Sequence, residues 1–198
     1  MSTSRGAGGA RARARQAMHA QVAEIVMDLV LEHGYEETTV DDICAAAEIS
    51  RSTFFRYFPA KEDALFGAMT EAGERLRDAL VARPDDETAW VALRRALDPL
   101  IAHYNAEGGR IKGLTRLMFS SPTLTAYHRK KNARWHELLR TEIARRLGTD
   151  PADTADPRAD AVIAAALGCV EAALRAWSAH DDAPALGRTL DRAMGAIG

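Results

Sequence analysis

The chain has 198 residues, of which 47% are hydrophobic, and this is enough to bury the core of one or two small domains. The formal net charge is −2, so the overall basic balance typical of many nucleic-acid-binding proteins is absent and any DNA contact must come from a local patch. No apolar run reaches the ~18 residues of a membrane span. The N-terminal arginines are not followed by the apolar core of a signal peptide. We therefore expect a cytoplasmic protein that makes no membrane contact.

Residues 1–12 consist mainly of Ser, Gly, Ala and Arg, a composition that predicts a disordered basic arm. Arg11, Arg13 and Arg15 alternate with alanine and could reach DNA phosphates or the minor groove. A solvated start of the first helix explains them equally well. That helix is predicted from about residue 12 to residue 33, and Gly34 ends it.

Two short helices follow, at about residues 40–47 and 50–58, with only Glu48 and Ile49 between them. Thr39 and Ser50 are good N-caps for these two helices. Helices joined this tightly form a helix-turn-helix, in which the second helix can lie in the DNA major groove. Pro59 ends the second helix.

Six stretches of this region resemble the DNA-binding signature of the TetR-type transcriptional regulators. They are Gly34-Tyr35, Thr38-Thr39-Val40, Asp42-Ile43, Ala46-Ala47-Glu48-Ile49-Ser50, Thr53-Phe54-Phe55-Arg56-Tyr57-Phe58 and Lys61-Glu62-Asp63-Ala64-Leu65. Two residues depart from the family pattern. Glu48 stands where the turn often has glycine, so a left-handed backbone there would cost about 1 kcal/mol. Phe55 stands where the family often has tyrosine, and it has no hydroxyl group.

The resemblance implies a role for each exposed residue of the motif. By this likeness Arg51, Ser52 and Phe55 would meet base edges. Phosphate contacts would come from Thr39, Thr53, Tyr57 and Lys61. Arg56 is a further candidate on the second helix, and an arginine at the helix start, such as Arg51, can pair with guanine O6 and N7. The alternative is a solvated helix surface for the polar residues and core packing for Phe55.

A long helix predicted from Lys61 to about residue 83 leaves the DNA-binding part, so we place the domain boundary within it. The predicted domains are 13–66, a three-helix DNA-binding domain, and 67–198, a larger helical domain for ligand binding and dimerisation. Further helices are predicted at 88–104 with a kink at Pro99, and at 111–120, 122–147, 158–180 and 184–197. The fold class is all-α, with about nine helices.

The helix predicted at 158–180 carries small residues at helical spacing, and small residues let helix backbones approach closely. They are Ala161, Ala164, Ala165, Gly168, Ala172 and Ala176. The resemblance implies that the last two helices form a four-helix interface in a homodimer, whereas core packing within one chain is the alternative. A two-fold dimer would bind double-stranded DNA at an inverted repeat, since one short helix contacts only a few base pairs.

No enzyme or metal motif is found. The histidines occur in no zinc-binding spacing, and there is no nucleophile elbow or glycine-rich phosphate loop. Cys44 and Cys169 lie in apolar helical patterns and are predicted to be buried, reduced thiols. No cofactor is expected.

A small-molecule effector is implied by the resemblance, because the larger domain of such regulators usually holds a ligand between its helices. Six residues with aromatic, apolar or polar-tipped side chains are the candidates for this pocket: His103, Tyr104, Met118, Phe119, Trp135 and Trp177. Each of them is also explained by plain core packing. The C-terminal part resembles the branch of the family linked to ligands like acyl-coenzyme A, so an apolar or acyl-type effector is expected.

The sequence thus predicts a homodimeric, ligand-responsive DNA-binding regulator, most simply a repressor of a palindromic operator. One alternative is an activator, or a regulator that needs no effector. Another is a helical enzyme or small-molecule carrier that retains a vestigial helix-turn-helix.

Overall fold

The computed structural model describes residues 4–198, except for the side chains of residues 4–8, 10–13 and 67–70. Within this range the secondary structure is entirely helical, which confirms the all-α prediction. The nine helices are α1 (Ser4–His33), α2 (Val40–Ala46), α3 (Arg51–Tyr57), α4 (Lys61–Val81), α5 (Ala89–Ala96), α6 (Asp98–Ser120), α7 (Pro122–Leu147), α8 (Arg158–Ala179) and α9 (Leu186–Met194).

The chain divides into two compact units, Met1–Met69 and Thr70–Gly198. The first unit holds α1 to α3 and the start of α4. The second holds the rest of α4 and the helices α5 to α9. Since α4 begins in one unit and ends in the other, it is the covalent link between them.

The core of the first unit forms where the apolar stripe of α1 meets α2 and α3. Val22, Val26 and Val30 recur every four residues on α1 and are fully buried. Phe54 and Phe58 bury their rings from α3 with centroids 5.3 Å apart. This inward face of α3 leaves its other face to solvent, which is the requirement for a helix that binds DNA.

The helix α1 begins at Ser4, eight residues before the predicted start, so the prediction of a disordered arm over residues 1–12 is wrong for residues 4–12. Alanine and arginine are among the strongest helix formers and alternate through residues 10–15, which favours the longer helix. Residues 1–3 lie outside the described residues, and so do the side chains of Arg11 and Arg13.

The second unit departs from the predicted helix bounds at Pro99. A kink was predicted there within one helix, but α5 ends at Ala96 and α6 begins at Asp98 with the proline in its first turn. Proline is favoured at this position because the first helical N–H has no intrahelical partner. The predicted break at Gly108 is found inside α6, where this residue has φ 47° and ψ −114°.

One buried arginine ties three segments of the second unit together. Arg146 on α7 has only 1% of its side chain exposed. All five of its N–H groups have acceptors: the carbonyl oxygens of Leu80, Arg83, Pro84 and Glu87, and the Glu142 carboxylate. The last carbonyls of a helix have no intrahelical partner. Arg146 therefore caps the C-terminal end of α4 and fixes the loop that follows it.

Candidate functional sites

The turn between α2 and α3 is set by Glu48, which has φ 53° and is the only non-glycine residue in the described range with positive φ. The left-handed conformation expected there is confirmed. It lets the Ile49 N–H donate to the Cys44 carbonyl at 3.0 Å and so ends α2. The left-handed backbone of Glu48 costs about 1 kcal/mol, because its Cβ atom crowds the following carbonyl oxygen.

Thr39 begins α2 through a capping box. Its Oγ1 accepts from the Asp42 N–H at 3.2 Å and donates to the Asp42 carboxylate at 2.6 Å, while its own N–H donates to the same carboxylate at 2.8 Å. These hydrogen bonds lower the pKa of Asp42. The Thr39 hydroxyl hydrogen is thus already in use, and a phosphate contact from it would have to displace Asp42.

The outer surface of α3 carries four of the predicted DNA-binding residues: Arg51, Ser52, Phe55 and Arg56. Phe55 is 46% exposed, so core packing does not account for it. The Arg51 guanidinium lies 5.7 Å from the centre of the Phe55 ring and pairs with Asp41 of α2 at 2.5 Å. Both charges of that pair are exposed, and such pairs hold a side chain only weakly. Arg51 is therefore available to a base edge once Asp41 releases it.

The start of α3 is fixed by Ser50 as predicted. Its Oγ accepts from the Thr53 N–H at 3.1 Å and donates to the Thr53 Oγ1 at 3.0 Å. Thr53 is half-buried at the first turn of the helix. The Thr53 hydroxyl accepts in this contact, so its own hydrogen remains to be donated to a phosphate oxygen.

Tyr57 lies at the end of α3 among cations. The guanidinium groups of Arg56 and Arg15 are 5.2 Å and 6.0 Å from the centre of its ring. The His19 ring meets it edge-on at 5.8 Å. Arg15, from the N-terminal arginine run, therefore lies beside the proposed DNA-binding helix, where it adds to a local positive patch.

Lys61 has a structural role that the sequence did not reveal. Its Nζ donates to the carbonyl oxygens of Tyr35 and Thr38 at 2.6 Å and 2.7 Å, and lies 3.9 Å from the centre of the Tyr35 ring. The neighbouring Glu62 accepts a hydrogen bond from the Tyr35 hydroxyl. Lys61 therefore ties the start of α4 to the loop between α1 and α2, and keeps one N–H for a phosphate.

We expect Lys61→Ala to lower the unfolding free energy of the first unit by about 1–3 kcal/mol, because two partly buried carbonyls lose their donor. Denaturant unfolding, followed by circular dichroism, measures the loss. Arg56→Ala removes an exposed cation from the same unit and should change stability by less than about 0.5 kcal/mol. If the two variants are equally stable, the Lys61 hydrogen bonds contribute nothing to the fold.

In the second unit, the six residues predicted to bind an effector differ in their exposure and in their contacts. His103 is exposed on α6, whereas Tyr104 and Trp177 are buried with ring centroids 6.2 Å apart. Burial raises the pKa of Tyr104 to about 12. Tyr104 also lines an apolar cavity of about 20 Å³ between α5, α6, α8 and α9. That is space for about one water molecule, and too little for an effector.

Phe119 and Trp135 contact polar residues of α7 that the sequence did not single out as ligand-binding. The Phe119 ring meets His128 at 5.7 Å, and the Trp135 ring centre is 4.2 Å from the Lys131 Nζ. Met118, which directly precedes Phe119 near the end of α6, is buried. The spacing of His128 and Lys131 on one face of α7 was visible in the sequence, but their burial was not.

Other kinds of site find no support in the described part of the chain. No group of three or more His, Cys, Asp and Glu residues there could hold a metal ion. Cys44 and Cys169 are buried free thiols, as predicted, and burial raises the pKa of both. Among the described residues, no helix has the length and apolar character needed to cross a bilayer.

Both the N-terminal and the C-terminal part of the chain match models of known protein families. The family model described as bacterial regulatory proteins, tetR family, matches residues 27–69, and the model described as the MftR C-terminal domain matches residues 87–198. A helix-turn-helix unit of this kind makes the protein a DNA-binding transcriptional regulator. The chain belongs to the TetR family. Members of this family are regulators and not enzymes, which sets aside the alternative of a helical enzyme.

Two curated relatives match nearly the whole chain. The putative mycofactocin biosynthesis transcriptional regulator MftR of Mycobacterium tuberculosis is 28% identical over 190 residues, which are 94% of this chain and 92% of the relative. The HTH-type transcriptional regulator TcmR of Streptomyces glaucescens is 28% identical over 197 residues, which are 96% of this chain and 86% of the relative.

Solved structures show the same fold. The TetR-family repressor FadR of Thermus thermophilus, solved in complex with lauroyl-CoA, has a TM-score of 0.58 at 20% identity, over 89% of this chain and 91% of FadR. A tetR-family regulator from Streptomyces coelicolor has a TM-score of 0.54 at 20% identity, over 92% of this chain and 82% of its own.

Proposed function

We propose that this regulator is a ligand-responsive repressor that binds an inverted repeat in double-stranded DNA as a homodimer. The observation that carries the proposal is the outer surface of α3, which presents Arg51, Ser52, Phe55 and Arg56 while Phe54 and Phe58 anchor the helix from its other side. Its target DNA lies in the cytoplasm, so we propose that location for the protein.

Contacts to the bases come from the exposed surface of α3. Arg51 would pair with a guanine, and the exposed Phe55 ring offers an apolar contact of the kind that thymine methyl groups accept. Phosphate contacts would come from Tyr57, Arg56 and the third N–H of Lys61. Thr53 and Thr39 are also proposed for phosphates, although Thr39 would first have to exchange its hydrogen bond to Asp42.

We expect Arg51→Ala to weaken binding to the preferred operator by about 1–3 kcal/mol and to relax the preference at one base pair in each half-site. Binding to a panel of single-base operator variants measures both effects. Asp41→Asn is the matched variant, since it frees the Arg51 guanidinium and should preserve the base preference. An equal loss of affinity for every operator variant would make Arg51 a phosphate contact instead.

The surface of α8 supports a homodimer. Five small residues share one exposed face of this helix: Ala161, Ala164, Gly168, Ala172 and Ala176. A Cβ atom added at Gly168 would have no other atom within 4 Å, so a larger side chain fits at this position in the single chain. An exposed face of small residues over most of a helix lets a second backbone approach closely. The outward face of α9 carries the charged residues Arg188, Asp191 and Arg192 and would form the rim.

The response to an effector is supported by the two-unit architecture and by relatives. In the Thermus FadR structure the bound molecule is lauroyl-CoA. We propose that an effector with an apolar part binds in the second unit of this protein and acts through α4, which continues into the DNA-binding unit. Transcription from a promoter that carries the operator tests the sign of regulation: it should rise when the protein is removed, and a fall would identify an activator.

A further inference from the structure

His128 on α7 has a buried ring nitrogen that makes no hydrogen bond with any described residue. The side chain is only 5% exposed, and its Nε2 lies 3.2 Å from the Asn132 Nδ2. An amide donor there leaves Nε2 as acceptor and assigns the ring hydrogen to Nδ1. Among the described side chains, Nδ1 is the only buried nitrogen or oxygen without a hydrogen-bond partner. A buried donor without an acceptor destabilises the folded state by about 1–3 kcal/mol, so its retention calls for an explanation.

Lys131 lies one turn further along α7 on the same face. Its Nζ stands 4.2 Å from the Trp135 ring centre, and the side chain is half-buried. Burial lowers its pKa to about 8, against the opposing effect of Glu171. Burial likewise lowers the pKa of His128 to about 4, so the ring is neutral at neutral pH and Nδ1 is a donor.

The carboxylate nearest to these groups is already engaged. Glu171 on α8 pairs with Arg175 at 2.9 Å, and its distance of 3.8 Å from the His128 Nε2 is too long for a hydrogen bond. The Arg175 guanidinium lies 3.8 Å from the centre of the Phe119 ring. The cluster thus holds two cations and one anion. Its unsatisfied buried donor is the His128 Nδ1–H, and the Lys131 ammonium lies on the same face of α7.

We propose that His128 and Lys131 bind the carboxylate head of an effector whose body is apolar. One carboxylate oxygen would accept from the His128 Nδ1 and the other from the Lys131 ammonium. A carboxylate accepts hydrogen bonds and donates none, so it matches the two donors that His128 and Lys131 supply. The inference rests on the proposed effector response and adds the chemical class of the effector and the residues that bind it.

The same cluster leads directly to α4. A Cβ atom added at Gly73 of α4 would lie 2.5 Å from the Trp135 Nε1, so the helix backbone rests on the indole ring that Lys131 overlies. An ammonium drawn towards a bound carboxylate would change its contact with this ring, and the ring is in direct contact with α4. Gly73 is what permits the close approach, because any other residue would collide with the ring.

The test compares decanoate with decan-1-ol, which share an apolar chain and differ in the charged head. Binding to the full-length protein is followed by calorimetry. Since hydrogen bonds to charged groups contribute about 1.5–3 kcal/mol, decanoate should bind at least about tenfold more tightly. Lys131→Met should abolish this preference, whereas Lys130→Met, which removes the adjacent exposed lysine, should preserve it.

A second variant tests the orphan nitrogen without using the lysine. His128→Phe should weaken decanoate binding and also raise the melting temperature of the ligand-free protein, because the unsatisfied donor is gone. A merely structural histidine would give the opposite result, with lower stability and unchanged binding. Equal binding of both probes, or identical behaviour of the two lysine variants, would overturn the proposal.

Operator binding is measured on the same samples to separate this proposal from the function it rests on. Intact operator binding with no preference for decanoate refutes the carboxylate site and leaves the DNA-binding role in place. A decanoate preference that depends on Lys131, in a protein that binds no operator, supports the site and refutes the proposed repressor.

Discussion

Arg146→Ala is expected to lower the unfolding free energy of the second unit by about 3–5 kcal/mol, since removing one partner of a buried ion pair leaves the other uncompensated. The side chain of Arg146 is 1% exposed, and every one of its N–H groups has an acceptor. Alanine would leave the carbonyl oxygens at the end of α4 and in the following loop without donors. Denaturant unfolding of the purified protein measures the change.

Arg145→Ala provides the matched control. This adjacent arginine contacts the same Glu142 carboxylate at 2.7 Å, but half of its side chain is exposed, and its other partner, Asp85, is a surface residue. Exposed ion pairs contribute about 0–1 kcal/mol, so this variant should remain nearly as stable as the wild type. Equal losses in the two variants would show that the carbonyl contacts of Arg146 do not stabilise the unit.

Gly168→Arg is expected to separate the proposed homodimer into monomers and to weaken operator binding by about 10²–10⁴-fold. That range is the usual gain from linking two binding sites. The position is exposed on α8 and open to a larger side chain, so the protomer should fold normally. Arginine also favours a helix more than glycine does, by roughly 0.5–1 kcal/mol. Analytical ultracentrifugation and operator binding measure the two effects.

Arginine is chosen because an added cation would by itself strengthen DNA binding, so a loss of affinity cannot come from repulsion by the phosphates. Ala133→Arg adds the same charge to an exposed position of α7 and should leave the dimer and the operator affinity intact. A Gly168→Arg protein that remains dimeric and binds the operator normally would move the interface away from the small-residue face of α8.

The sequence was most informative where structure depends on neighbouring residues. Thr39 and Ser50 were predicted as N-caps from their own chemistry and from the helices that follow them, and both cap in the structure. The left-handed Glu48 was expected from the resemblance, because it stands where the turn of the family often has glycine. Phe54 and Phe58 lie four residues apart, a spacing that puts both on one face of a helix, and both are buried.

Contacts between residues distant in the chain were not predictable. Lys61 was expected to face phosphate, but its ammonium binds carbonyl oxygens more than 20 residues away. Arg146 looked like one of two equivalent arginines at the end of a helix, and only the fold distinguishes it from Arg145. The proximity of Glu171 to His128 and Lys131 likewise depends on how α7 and α8 pack, which no local pattern specifies.

Some sequence signals were ambiguous in themselves. Pro99 is compatible with a kink or with the first turn of a new helix, and the packing around Leu97 decides for the latter. The aromatic residues of the second unit could all have lined one pocket. In the structure Tyr104 and Trp177 contact each other, Phe119 contacts His128, and Trp135 contacts Lys131. His103 is exposed.

The central claim, that a dimer of this protein binds an inverted repeat through α3, is tested most directly by selection from random duplex DNA at near-physiological salt. The account predicts recovery of a palindromic sequence whose half-sites are about one helical turn, or a multiple of it, apart. Retention that is independent of sequence and disappears as salt is raised would show binding to phosphates alone and would contradict the account.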